Sequence, residues 1–299
     1  MEQNKTFDAI IIGGSYAGLA AGLALGRSMR KVLIIDSGRP ANRQTPHSHN
    51  FLTRDGITPA ELSAIARAEV LQYPTVEMIN DRVETVNGSD HNFLVATSSG
   101  AMLHTKKILF TTGIKDQMPD ISGFADCWGI SAIHCPYCHG YEYRGQNTGI
   151  LINGDHAIEF ADLIRNWTDQ LIIFTNGEIK ISLEHQQQIA KLNIQIVDKQ
   201  IIQIEHDKGY MTSLVFKDGS KQNLNALYAR LPFDQHSKIP ADMGCDITTT
   251  GYIFTDEFQK TSLPGVYAAG DNTSMMRSVA GAVAAGSKAG AMLNRELIG

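Results

Sequence analysis

Two apolar, β-branched runs flank a glycine-rich turn near the start of the chain, and no other feature restricts the fold as much. Residues 7–12 (FDAIII) read as a buried strand, and Gly13-Gly14-Ser15-Tyr16-Ala17-Gly18 follows at once. An Ala/Leu-rich stretch to about Ser28 reads as a helix, and 31–36 (KVLIID) as a second buried strand. Strand, turn, helix and strand in that order give a glycine fingerprint its meaning. Gly13 permits the tight turn, Gly18 lets the helix pack on the strand, and the helix N-terminus turns its amides toward a diphosphate. Asp36 ends the second strand, where an acid accepts hydrogen bonds from a ribose. Ser15 stands where the second fingerprint glycine belongs; it narrows the backbone's approach to phosphate but adds a hydroxyl donor. An ordinary buried βαβ unit is the competing reading.

The length of 299 residues suggests two domains. A net charge of −5 argues against a nucleic-acid backbone binder. With 43% apolar and 19% charged residues, the chain can bury a sizeable core. Residues 9–26 are almost free of polar side chains, and Gly14, Gly18, Gly22 and Gly26 recur at every fourth position, as in membrane helix pairs. Against a span or a signal peptide stand the lack of net positive charge in Glu2, Lys5 and Asp8 and the break at Gly13 and Gly14. A cytoplasmic, reducing location is the expectation.

The far end echoes the beginning. GVYAAGD at 265–271 reads as a short strand ending in Gly270 and Asp271, with an Ala/Gly-rich helix over 279–297. Thr111, Thr112 and Gly113 end another apolar strand, 108–110. Acids and small residues at strand carboxyl ends lie where open α/β sheets bind ligands.

Four cysteines are too few for a disulfide scaffold, but Cys135 and Cys138 form a Cys-x-x-Cys. Zinc would need two more soft ligands, and His134 and His139 are adjacent to the cysteines and poorly spaced for a tetrahedron. Cys-x-x-Cys-His is also a c-type haem signature, but that attachment belongs to exported proteins. Two inert buried thiols are a third reading. A redox disulfide is the fourth and favoured one, with the flanking histidines as proton carriers near neutral pH. Cys127 and Cys245 read as buried small hydrophobes.

Taken together, the first fingerprint, the Thr-Thr-Gly strand end, the Cys-x-x-Cys and the terminal GVYAAGD resemble the low-molecular-weight thioredoxin reductase-like flavoproteins, over residues 6–297. HCPYCHGYE and HSHNFLTRDG resemble most the branch containing the dithiol oxidases that close the disulfides of gliotoxin and holomycin. The resemblance implies FAD in the first site. Gly13, Gly14, Ser15, Ala17, Gly18 and Asp36 would hold the ADP half, with Thr112, Gly113 and Gly270 beside the cofactor. Asp271 would bind the ribityl chain, and Val279 and Ala280 would lie by the flavin ring. Cys138 would face the flavin and Cys135 would meet the substrate. His139 stands where thioredoxin reductases carry an acid proton donor. His47 and His49 either lie near the flavin or belong to a polar surface loop.

A second βαβ unit follows: a strand entering the turn at 148–154, a helix over 157–167 and a strand at Leu171–Phe174. Its binding signal is poor. Ile152 replaces a fingerprint glycine, no arginine cluster follows Phe174, and Asp155 puts a negative charge where a pyrophosphate would sit. A working NADPH or NADH site and a nucleotide-like scaffold without one are both open. The expected organisation is α/β: two Rossmann-like three-layer nucleotide-binding domains, the second inserted into the first. The FAD-binding domain takes 1–116 and 241–299, and the domain carrying the cysteine pair takes 117–240, with Pro119 and Pro240 near the crossings. Hairpin strands are expected at 200–205 and 213–217, with a turn at 217–220.

The expected activity is an FAD-dependent disulfide oxidoreductase exchanging electrons with a small dithiol or disulfide, or with a thioredoxin-like protein. An NAD(P)H-driven thioredoxin reductase and a flavin redox sensor without turnover are its rivals. The family implies a homodimer.

Overall fold

A computed structural model describes residues 6–299. The chain forms two compact units. One takes the chain up to Arg43, then Asn50–Lys115 and Phe233–Gly299; the other takes Gln44–His49 and Asp116–Pro232.

The first unit opens with β1 (Thr6–Ile12), α1 (Tyr16–Arg27) and β2 (Val32–Asp36), close to the expected bounds. Then come α2 (Pro59–Val70), β3 (Val76–Asn80), β4 (Val83–Ser89), β5 (Asn92–Thr97), β6 (Met102–Phe110) and β7 (Ile114–Asp116). The strand expected at 108–110 begins six residues earlier, at Met102. Its early residues pair antiparallel with β5 and alternate in exposure, so they carry no continuous apolar signal.

The second unit holds α3 (Phe124–Cys127), β8 (Ala132–Ile133), α4 (Pro136–His139), β9 (Thr148–Leu151), α5 (Ala157–Ile164), β10 (Leu171–Phe174), α6 (Leu183–Lys191) and β11 (Gln195–Val197). After these come β12 (Ile201–Asp207), β13 (Tyr210–Phe216), β14 (Lys221–Asn223) and β15 (Ala226–Ala229). Its parallel sheet runs β11-β10-β9-β15-β8, beside an antiparallel β12-β13-β14 sheet. Helix α5 stops at Ile164, short of the expected 167. The β12–β13 hairpin turns at Lys208 and Gly209, both at positive φ, and the Lys217–Ser220 turn joins β13 to β14.

The chain then returns to the first unit with β16 (Phe233–Gln235), α7 (Ile239–Asp242), β17 (Val266–Ala268) and α8 (Val279–Ile298). The return crossing falls at Pro232–Phe233, ahead of the expected 240–241, and Pro240 lies in the first turn of α7. The sequence organisation also kept 44–49 with the first domain, whereas this segment groups with the second unit.

The first unit's sheet runs β3-β2-β1-β6-β5-β4, with β17 pairing parallel to the second half of β6. Its core lies on both faces: Phe7, Ile10, Leu33 and Phe110 on one, Ile11, Leu19, Leu25, Ile34 and Leu293 on the other. Each such buried side chain contributes about 2 kcal/mol. The glycine stripe of α1 finds its use here. A methyl on Gly22 would meet Ile34, and one on Gly26 would meet Val76 and Tyr73. No described helix is long and apolar enough to cross a membrane.

Helices α1 and α8 approach closely at Gly286, where a Cβ would lie 2.7 Å from the Ala17 carbonyl carbon. Gly286→Val is therefore expected to cost about 1–3 kcal/mol by overpacking. Urea unfolding should show the lowered midpoint.

Candidate active site

Gly13, at φ 109°, turns the chain out of β1, and its carbonyl accepts from Thr111 Oγ1 at 2.7 Å. Ser15 is the N-cap of α1 in extended conformation, but its side chain caps nothing, and the first turn holds no acid. The leading amides of this buried helix therefore lack a side-chain cap and face no carboxylate of their own first turn. A methyl on Gly14 would lie 2.7 Å from Asp36 Cβ, so the loop rests directly on Asp36. Asp36 Oδ2 is held at 2.7 Å by Arg67 Nη2 from α2.

Further along the same sheet edge, Thr112 Oγ1 is buried with no hydrogen-bond partner, and Gly113 adopts φ 65°. Gly270 also has positive φ, and a methyl there would meet Ala17. Asn272 is fully buried: its Nδ2 donates to the Phe110 carbonyl at 3.0 Å while its Oδ1 has no partner. Asp271 Oδ2 lies 4.0 Å from Arg277 Nε. Ser278 caps α8 by accepting from Gly281 N at 3.0 Å, which sets Val279 and Ala280 as the first residues of a long helix with no acid in its first turn. Two uncommitted buried polar atoms, an uncapped helix start and a glycine cradle fit a flavin dinucleotide. Arg67 and Asn272 were not singled out in the sequence; for Asn272, its place just after Gly270-Asp271 was the available signal.

Cys135 and Cys138 are joined as a disulfide with Cα atoms 5.3 Å apart. Pro136 starts the single helical turn of α4, and Cys138 N donates to Cys135 Sγ at 3.2 Å. Gly140 fixes the exit: its N–H donates to the Pro136 carbonyl at 2.7 Å, and a methyl on it would press on the Trp167 ring. Tyr137, between the cysteines, is 62% exposed and meets Trp167 edge-on at 5.7 Å. His134 lies 6.0 Å, ring to ring, from Trp128, whose Nε1 donates to Asp116 at 3.1 Å.

His139 is the last residue of α4. Burial, and then the charge of His49, push its pKa down to about 4. Its imidazole is thereby favoured in the neutral form at physiological pH. His47 and His49, left between two readings, group with the cysteine-bearing unit. There His49 Nε2 lies 3.5 Å from Glu142 Oε1, and the two histidine rings are 6.2 Å apart. Cys127 and Cys245 are both buried thiols. Burial pushes the Cys127 thiol up to about 11, which makes it inert.

The loop after β9 differs from the loop after β1 in kind. Asn153 Nδ2 donates to the Glu178 carbonyl at 2.8 Å, and its Oδ1 accepts from Lys180 N at 2.7 Å. Asp155 Oδ1 accepts from Ser182 N at 2.8 Å and lies 3.0 Å from His185 Nδ1. These bonds bring the pKa of Asp155 down to about 2. Helix α5 then starts at His156 without a side-chain cap, but with Glu159 in its first turn. The chain has thus placed two carboxylates at this helix start and laced its loop to the stretch 178–182.

The chain matches the family described as pyridine nucleotide-disulphide oxidoreductase over residues 7–286. It is 30% identical to "Thioredoxin reductase tcpT" of Claviceps purpurea, over 100% of this chain and 96% of that protein. It is 31% identical to "Thioredoxin reductase sirT" of Leptosphaeria maculans, over 98% and 95%. Among solved structures it superposes on an oxidoreductase from Agrobacterium tumefaciens with TM-score 0.91 and 33% identity, covering 98% of this chain and 99% of that one. A putative thioredoxin reductase TrxB from Bacillus anthracis gives TM-score 0.92 and 29% identity, covering 98% of each. The chain therefore belongs to the pyridine nucleotide-disulphide oxidoreductase family. Within it, the full-length match and the Cys135–Cys138 disulfide make it an enzyme of the thioredoxin reductase-like, FAD-dependent disulfide oxidoreductase kind.

Proposed function

We propose that this enzyme draws its electrons from a small dithiol through Cys135–Cys138, and that its second nucleotide-like unit serves as a scaffold for the pair instead of an NAD(P)H site. The carrying observation is the contrast between the two helix starts. That of α1 is uncapped and free of acid, whereas that of α5 carries Asp155 and Glu159, with Asn153 and Asp155 tied to the chain's own backbone. A diphosphate entering the second site would meet two carboxylates and would have to displace several hydrogen bonds.

In this reading Gly13, Gly14, Ser15, Ala17, Gly18 and Asp36 hold the ADP half of FAD, with Arg67 steadying Asp36. Thr112, Gly113, Gly270, Asp271, Val279 and Ala280 serve its ribityl and ring portions, and Asn272 joins them through its uncommitted Oδ1. FAD, when bound, supplies the two-electron acceptor that the protein itself lacks. By resemblance, Cys135 meets the substrate sulfur and Cys138 is the sulfur that exchanges electrons with the cofactor. A homodimer in a reducing cytoplasm belongs to the same reading, since a disulfide there cycles instead of serving as a staple.

Anaerobic mixing tests this. Dithiothreitol should bleach the flavin of the purified enzyme within seconds, NADPH and NADH should leave it yellow over minutes, and air should restore the colour with peroxide formed. Rapid bleaching by a nicotinamide would favour the thioredoxin reductase reading. Oxidation and reduction of the pair without turnover would favour the sensor.

A further inference from the structure

Within residues 135–139 Tyr137 alone is exposed; both cysteines are half-buried and Pro136 is buried. A molecule that comes to either sulfur therefore meets this ring, which stands one position from Cys138 and two from Cys135. The ring is held from one side. It meets Trp167 edge-on, with centroids 5.7 Å apart and planes at 87°. Trp167 is itself anchored: its N–H donates to the Ile164 carbonyl at 3.0 Å, and its carbonyl accepts from Gly145 N at 2.9 Å. Its ring rests on Gly140, where a methyl would lie 2.9 Å from it. A second exposed ring, Tyr141, is already covered. The Arg144 guanidinium lies 4.1 Å from its centroid, and Arg144 Nη1 donates to the Tyr141 carbonyl at 2.6 Å. Residues 134–141 hold no Lys, Arg, Asp or Glu.

We propose that Tyr137, propped by Trp167, is the platform on which the body of the substrate lies, and that the substrate is an uncharged dithiol carried on a flat aromatic ring. The assignment rests on the dithiol reading given above. Aromatic rings pair in offset or edge-on geometries and gain free energy beyond the area they bury. A tyrosine has only two side-chain torsions, and Trp167 restrains Tyr137 before any ligand arrives, so little ordering opposes binding. Charge favours the same class of substrate. A charged peptide finds no ion-pair partner within 134–141, and the Arg144 guanidinium is folded onto Tyr141. An uncharged ring leaves no charge unpaired when it covers Tyr137.

Tyr137 lies outside the sulfur bonds that break and form, so its ring holds the dithiol alike before and during the exchange. Such an interaction acts chiefly on the half-saturating concentration and little on the maximal rate.

The test compares benzene-1,2-dimethanethiol with butane-1,4-dithiol, two uncharged dithiols of which only the first carries a ring. Anaerobic bleaching of the FAD-loaded enzyme, expressed per thiolate, gives a maximal rate and a half-saturating concentration for each. The wild type should be half-saturated by the ring-bearing dithiol at an about 10-fold lower concentration. Tyr137→Ala should abolish that preference, Tyr137→Phe should keep it, and Trp167→Leu should lose part of it. A substitution that merely disturbed the disulfide would slow both dithiols alike and leave their ratio intact. Equal half-saturation of the wild type by the two dithiols, or a preference that survives in Tyr137→Ala, would overturn the proposal and leave the dithiol reading in place. So would saturation by a reduced thioredoxin that is sensitive to Tyr137→Ala, with no preference between the small dithiols. If Tyr137→Ala fails to form its disulfide, an undiminished preference in Trp167→Leu has the same force. A wild type that neither dithiol bleaches would instead remove the dithiol reading, and this assignment with it.

Discussion

Cys135→Ser will lower dithiol-driven turnover by about 10³-fold or more, and Cys138→Ser will do the same, because the two sulfurs act as one unit. The loss is chemical. The pair spans only three positions of sequence, so the bond restrains little unfolded-chain entropy, and removing it should cost no more than about 2 kcal/mol of stability. Turnover and thermal midpoint measured together on each variant separate the two effects. The variants should also differ from each other. Cys135→Ser leaves a lone thiolate on the sulfur assigned to the cofactor, so long-wavelength absorbance should appear; Cys138→Ser should show none. The reverse pattern would exchange the two roles, and turnover near the wild-type level in either variant would refute the redox assignment altogether.

Lys107→Met should destabilise the first unit by about 3 kcal/mol, the largest effect expected of any single polar side chain there. The Lys107 side chain is only 2% exposed, with Nζ 2.6 Å from Asp90 and 3.0 Å from Glu296. Glu296 is also paired with Lys260. Asp90 sits in the β4–β5 turn and Glu296 near the end of α8, so one ammonium ties the C-terminal helix to the sheet. Methionine fills the same space without charge and leaves the two carboxylates facing each other.

The pH dependence follows in sign. Burial acts to raise the Glu296 carboxyl, but hydrogen bonds from Lys260 and Lys107 outweigh it and hold the pKa below its ordinary 4.5. A folded value below the unfolded one gives stability that is present above pH 4.5 and is lost as pH falls through the folded value. Urea unfolding at pH 7 should therefore show a large gap between wild type and Lys107→Met, and the gap should narrow at pH 4. A gap below about 1 kcal/mol at pH 7 would contradict this account.

What the sequence made legible follows from how its signals arise. The first nucleotide loop could be read because glycine spacing, strand pattern and terminal acid are all local, and Gly13, Asp36, Asp271 and the α8 start all fall on one unit. The second loop's departures from the fingerprint, Ile152 and Asp155, were visible, but the lacing of Asn153 to 178–180 joins residues well apart in the chain and was not. The β4–β5–β6 meander escaped because its strands are half-exposed, and Lys107 reads as a surface residue until the fold buries it. The burial of His139 was hidden for the same reason. His139 stands in an acid's place in the sequence, and only tertiary burial, with His49 brought in from a distant segment, lowers its pKa.

Stepwise anaerobic reduction of the FAD-loaded enzyme by dithionite, followed by absorbance, tests the central claim most directly. The wild type should consume roughly four electrons per chain, two for the flavin and two for the sulfurs, while Cys135→Ser should consume roughly two. A wild type that stops at two electrons, or a protein that is colourless and refuses FAD, would contradict it.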